Sequence, residues 1–186
     1  MENSFEKFYD ALCAWCQSQP AYAFKGGKFF KDAKEVDPPK TSGIYIMWDI
    51  KENRIVRIGS ATKSLLDRLN RHFKRTKRVS VFRKLVGDAL IIRDNLGGLD
   101  WNDRDTKYPD IEKEVTKYLE ENIKFYLCEI TDKKEVLAAE KAFIVLLSLY
   151  YKTIGQSRIN ANWLGKNSSR DKVKNSGLWN NVHALG

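Results

Sequence analysis

No run of about eighteen apolar residues occurs in the sequence, so it offers no helix of the length and character that crosses a membrane. Cysteine is scarce and odd in number, three in 186 residues, which argues against a disulfide framework. Cys13 and Cys16 do form a C-x-x-C, but a tetrahedral zinc site needs two further ligands, and only Cys128 and two histidines remain to supply them. The pair reads instead as two small apolar residues on an amphipathic helix. The opening residues, MENSFEKFYD, lack the basic-then-apolar order of a secretory signal, and the expected location is the cytoplasm. Internal repeats and low-complexity segments are also missing.

What is present is a folded composition, 42% hydrophobic with 12% aromatic residues, long enough for one real core with elaborations. The net charge of +9 is unevenly spread. Residues 51–93 hold thirteen Lys or Arg against three Asp or Glu, whereas residues 94–150 hold eight against thirteen. The cations Lys63, Arg71, Lys74, Arg75, Lys77, Arg78, Arg83 and Lys84 are the material of a phosphate-binding surface, with a merely soluble basic face as the alternative.

Residues 3–18 have a helical apolar stripe of Phe5, Phe8, Leu12 and Cys16, with Asn3 and Glu6 at capping-box spacing. Residues 20–40, carrying Gly26-Gly27 and Pro38-Pro39, read as a connector with a short strand at Tyr22 to Phe24. Two β-rich runs, Gly43 to Trp48 and Arg54 to Gly59, flank a polar turn and predict an antiparallel hairpin. The helix that follows, about Ser64 to Lys74, places Leu65, Leu66, Leu69 and Phe73 on one stripe and Arg68 and His72 four apart on one face. Further helices are expected at Val79 to Ile92 and Ile111 to Glu121, separated by a loop rich in Asp, Asn and Gly. Lys124 to Ile130 is a third strand, and Glu135 to Tyr150 a final apolar helix capped by Thr131 or Asp132. Glu140 is the only acid on that helix between Val136 and Tyr151, on a stripe with Val136, Leu137, Phe143, Ile144 and Leu147. A carboxylate so placed needs either a metal ion or an ion pair, for which Arg68 is a candidate.

Gly43-Ile44-Tyr45, then Arg57-Ile58-Gly59, then a helix carrying Arg68 and His72, then a glutamate helix: this ordered set resembles the GIY-YIG nuclease family, over about Ser42 to Asn162 with an insertion excluded. Arg57 stands where the family usually has its second tyrosine. The resemblance implies a mixed α/β (α+β) fold, a small three-stranded antiparallel sheet flanked by helices. Residues 1–40 would add an N-terminal helix and connector, 41–165 the nuclease core with an insertion at about 79–122, and 166–186 a C-terminal extension. It also implies an endonuclease dependent on Mg2+ (or Mn2+) that hydrolyses DNA, double-stranded by expectation, with a nucleic-acid-binding module of the same fold that has lost hydrolysis as the alternative. The oligomeric state is open.

Tyr45 matches the residue that activates the attacking water in the family, a role for which a phenol needs nearby positive charge. Arg57 would supply that charge or bind phosphate. Arg68 would clamp the scissile phosphate, His72 would orient water or move a proton, and Glu140 would hold the metal. The family's late asparagine maps to Asn160, with Asn162 in reserve, although no proline precedes it here. In the tail, Trp163 and Trp179 are interleaved with Lys166, Arg170, Lys172 and Lys174, a pattern that stacks on nucleic acid or packs on the core.

Overall fold

A computed structural model describes residues 2–74, 76–98, 100–101, 103, 106–153, 157 and 159–185. The side chains of Glu2 and Asn3 lie outside this description, and with them the Asn3–Glu6 capping pair. The helices are α1 Glu2–Ser18, α2 Leu65–Phe73, α3 Val81–Arg93, α4 Pro109–Asn122, α5 Lys133–Thr153 and α6 Asp171–Ser176. The strands are β1 Tyr22–Lys25, β2 Lys28–Lys31, β3 Lys34–Glu35, β4 Gly43–Asp49, β5 Arg54–Ala61 and β6 Ile123–Glu129.

The expected mixed α/β class holds, but the sheet has six strands rather than three, all antiparallel, in the order β3-β2-β1-β6-β4-β5. The three additional strands come from the segment read as a connector, in which the short strand expected at Tyr22 to Phe24 is β1 and only β2 and β3 go beyond expectation. Gly26 and Gly27, at φ 56° and 81°, form the two-residue turn that joins β1 to β2. Only residues that tolerate positive φ make this turn, and its twist matches that of the flanking strands. Asp32 and Ala33, also at positive φ, turn the chain again into β3. Tyr22 and Phe24 pair with Lys31 and Phe29, so one side of the hairpin presents aromatic rings to Phe73 of α2 and Phe125 of β6.

The central hairpin forms as expected, and its glycines are fixed by packing. A Cβ on Gly43 would sit 2.2 Å from the Cys128 carbonyl oxygen on the neighbouring strand β6. On Gly59, it would lie 2.1 Å from the ring and hydroxyl of Tyr45, its cross-strand partner. The register slips at Val56: Met47 pairs with Arg57 and Trp48 with Ile55. Arg57 shares a face with Gly59, Tyr45 and Met47, and the bulge shifts the register of Ile55 and Arg54 beyond it.

Helices cover both faces. Tyr45 meets α2, whereas Ser60, on the opposite side of β5, meets α5. Helix α1 packs on α5 through Phe8 against Phe143 and Tyr9 stacked on Tyr150. Cys16 is fully buried in this layer, and burial pushes its thiol up to about 12, which fits a packing role. Helices α3 and α4 contribute Phe82, Leu85, Val86, Val115 and Leu119 to the same core. Trp163 and Trp179 are buried as well, so the tail's tryptophans pack rather than present a stacking surface.

Candidate active site and nucleic-acid face

Helix α2 begins where Ser64 accepts the Asp67 N–H at 3.1 Å, and its burial of Leu65, Leu66, Leu69 and Phe73 fixes its rotation. That rotation turns His72 inward onto Tyr45. The Tyr45 hydroxyl and His72 Nε2 are 2.7 Å apart, and His72 Nδ1 lies 2.9 Å from Ser80 Oγ. Ser80 is also the N-cap of α3 and accepts the Arg83 N–H at 3.2 Å. Tyr45 is 0% exposed and His72 1%. Burial first, and then the charges of Arg57, Arg68, Arg83 and Arg71, hold the imidazole well below its usual pKa, so it is neutral near pH 7. In the tautomer whose Nδ1–H donates to Ser80, Nε2 accepts from the phenol.

Arg57 lies on the same side of the sheet, over the Phe82 ring at 5.0 Å. Phe82 also packs edge-on to His72. The Arg57 Nη1 donates to the Trp179 carbonyl, while Nε is buried without a hydrogen-bond partner. Arg68, one turn before His72, lines a cleft of about 320 Å3 together with Ser60, Thr62, Lys63, Ser64 and Arg71. Its Nε is likewise buried and unbonded. A second hollow of about 460 Å3, lined by Asp67, Asn70, Arg71 and Lys74, continues along the helix.

Glu140 lies on the other face of the sheet and meets Ser60, one of the residues lining this cleft. It is half-buried, and its Oε2 accepts the Ser60 hydroxyl at 2.6 Å. Among the described residues it has no ion pair, so the pairing with Arg68 does not occur. Leu137, expected on its stripe, is 53% exposed, so Glu140 stands at the margin of the buried face. Asp132, not Thr131, caps this helix, accepting the N–H groups of Lys134 and Glu135.

The structure therefore gathers Tyr45, Arg57, Arg68, His72 and Glu140 around the Gly59-Ser60 end of β5. It does not gather Asn160. That residue is exposed beside the β4–β5 turn, where its N–H donates to Glu52 and its Oδ1 accepts the Asn162 N–H. The full length of β5, roughly 20 Å at strand rise, separates it from Ser60. Asn160 and Asn162 thus build a turn.

The cationic face also needs correction. Lys63, Arg71, Lys74 and Arg78 are exposed. Lys77 is 7% exposed, its Nζ donating to the carbonyls of Trp101 and Asp103 while lying over the rings of Trp101 and Tyr108. Arg83 is buried in an ion pair with Glu112 at 2.8 Å and donates to the His72 and Phe73 carbonyls. Both cations hold the α2–α3–α4 junction together, so neither is part of a phosphate surface. Arg75 lies outside the described residues.

Sequence reasoning missed Ser60, Ser80 and Asn180. Ser60 had a signal in its place directly after Gly59. Ser80 had one as a hydroxyl residue heading an apolar helical run. Asn180 had none, because its partner is a distant strand edge.

The chain matches the sequence model of the GIY-YIG domain over residues 2–185. It therefore belongs to the GIY-YIG family, a family of nucleases. No curated protein and no solved structure matches it.

Proposed function

We propose that the protein is an endonuclease that hydrolyses phosphodiester bonds of DNA. The observation that carries this reading is the Tyr45–His72–Ser80 hydrogen-bonded chain beside a cationic cleft. A neutral imidazole with a free acceptor nitrogen on a phenol can take its proton and return it, which is the task of general acid–base catalysis. Ser80 orients the imidazole and Gly59 leaves room for the phenol. The guanidinium of Arg68, on a side chain that lines the cleft, is suited to the scissile phosphate and to the charge that develops on it. Lys63, Arg71 and Lys74 flank it for the neighbouring phosphates.

Glu140 fits a hard divalent cation. It offers carboxylate oxygen without a competing cation, and Mg2+ is commonly held by one or two carboxylates with water and substrate phosphate completing its shell. Glu140, oriented by Ser60, would hold Mg2+ or Mn2+, which when bound supplies positive charge for the leaving oxygen.

One observation favours a second reading, a DNA-binding module without hydrolysis: Tyr45 and His72 expose essentially no surface. Incubation with supercoiled plasmid and Mg2+, beside Glu140→Ala and an EDTA control, separates the two. Nicking that disappears in both controls supports the nuclease. Binding that weakens steeply with salt while several plasmids stay intact under several metals supports the module.

A further inference from the structure

Strand β5 ends the sheet, so among the described residues its outer edge has no strand partner. An unpaired edge leaves a row of backbone donors and acceptors to be covered. The C-terminal segment covers it. The Trp179 N–H donates to the Val56 carbonyl at 2.7 Å. The Asn180 side chain then imitates a strand, its Oδ1 accepting the Ile58 N–H at 3.2 Å and its Nδ2 donating to the Ile58 carbonyl at 2.7 Å. These contacts bracket Arg57 on both sides.

Arg57 answers by donating to the Trp179 carbonyl, as Arg54 donates to the Gly177 carbonyl at 2.7 Å. The segment is itself anchored. Gly177 turns the chain at φ 68°, and Trp179 is fully buried against Trp163, Phe82 and Tyr118. Phe82 thus touches the tail, lies beneath the Arg57 guanidinium and packs on His72.

We propose that the Trp179–Asn180 segment is a positioning element of the active site: it clamps the edge of β5 and thereby holds the Arg57 guanidinium on Phe82, next to the His72 imidazole. The proposal rests on the reading that His72 handles a proton. Arg57 occupies the position of the family's second motif tyrosine, and its reach is set by the tail rather than by substrate. The groups facing His72 are Tyr45 from β4, Arg57 from β5, Arg68 and Arg71 from α2, and Ser80 and Arg83 at the start of α3. Of these only Arg57 is tied to the tail, so loosening the tail moves one charge and leaves the others in place.

The test is a pH titration of the imidazole nitrogens by NMR. The chain has two histidines, and the exposed His183 serves as internal reference. Asn180→Leu removes both amide contacts at similar volume, and Arg57→Met removes the charge. Each is expected to raise the protonation midpoint of His72 by about one unit relative to the wild type, the scale of one displaced neighbouring charge. The double variant should move it no further than Arg57→Met alone. If Asn180→Leu does not fold, Asn180→Ser, which keeps a hydroxyl against Ile58, takes its place. A His72 midpoint unmoved in the Asn180 variant while Arg57→Met shifts it would overturn the tail's role, and one unmoved in both would overturn the role of Arg57. The titration needs no DNA, so its outcome stands apart from whether the protein cleaves.

Discussion

Replacing His72 by glutamine should make the protein less sensitive to mild acid. In the folded chain, burial and four arginines keep the imidazole neutral. In the unfolded chain it gains a proton below about pH 6.5. The unfolded state then binds more protons, so stability falls as the pH drops through that value, by up to about 1.4 kcal/mol per pH unit. The stability contributed by the neutral imidazole is therefore present above about pH 6.5 and lost below it, the reverse of a histidine held in an ion pair. The proton taken up by the unfolded state sets the ceiling on the loss between pH 7 and pH 5 at about 2 kcal/mol. Glutamine has no such proton to bind, and the carboxylates and His183 contribute equally to both proteins. Urea unfolding of both at pH 7 and pH 5 should show the wild type losing more stability than the variant, by up to about 2 kcal/mol. Equal losses would refute a neutral, buried His72.

Three further outcomes follow from the packing. Gly59→Ala should cost about 1–3 kcal/mol, because its Cβ would meet the Tyr45 ring, whereas Gly97→Ala, with open space around it, should stay within about 0.5 kcal/mol; thermal unfolding compares them. Glu112→Gln breaks the ion pair of buried Arg83 and should destabilise by about 3 kcal/mol or more, lowering the Tm by roughly 6 °C or more in a chain of this size. Arg71→Ala should reduce the salt dependence of DNA binding by about one counterion, while Lys77→Met should lower stability and leave that slope unchanged, as fluorescence anisotropy over a salt series will show.

Much of this was legible in the sequence where local pattern and tertiary role coincide. The hairpin of β4 and β5 announces itself by alternation and a polar turn. Helix α2 shows its buried stripe, and the same stripe places Arg68 and His72. Strand β1 was expected at Tyr22 to Phe24, whereas β2, Lys-Phe-Phe-Lys, and the two-residue β3 were harder, since short strands with lysine at their ends look like a polar connector. Only the Gly26-Gly27 pair hints at the turn. Charge counting misjudged Lys77 and Arg83 because composition does not distinguish a cation in water from one capped by carbonyls, rings and Glu112. Asn160 was misplaced for a related reason: short-range text gives no distance to Ser60. Contacts such as Asn180 with Ile58, 122 residues apart, exist only once the sheet has an edge to cover.

The central claim is that the phenol of Tyr45 and the imidazole of His72 handle the proton of phosphodiester hydrolysis. Tyr45→Phe removes one oxygen and keeps the ring that fills the space above Gly59. Single-turnover cleavage of plasmid DNA in Mg2+ should slow by about 100-fold or more, the usual contribution of a positioned acid or base, with DNA affinity unchanged. A Tyr45→Phe protein that cleaves at the wild-type rate would contradict the account.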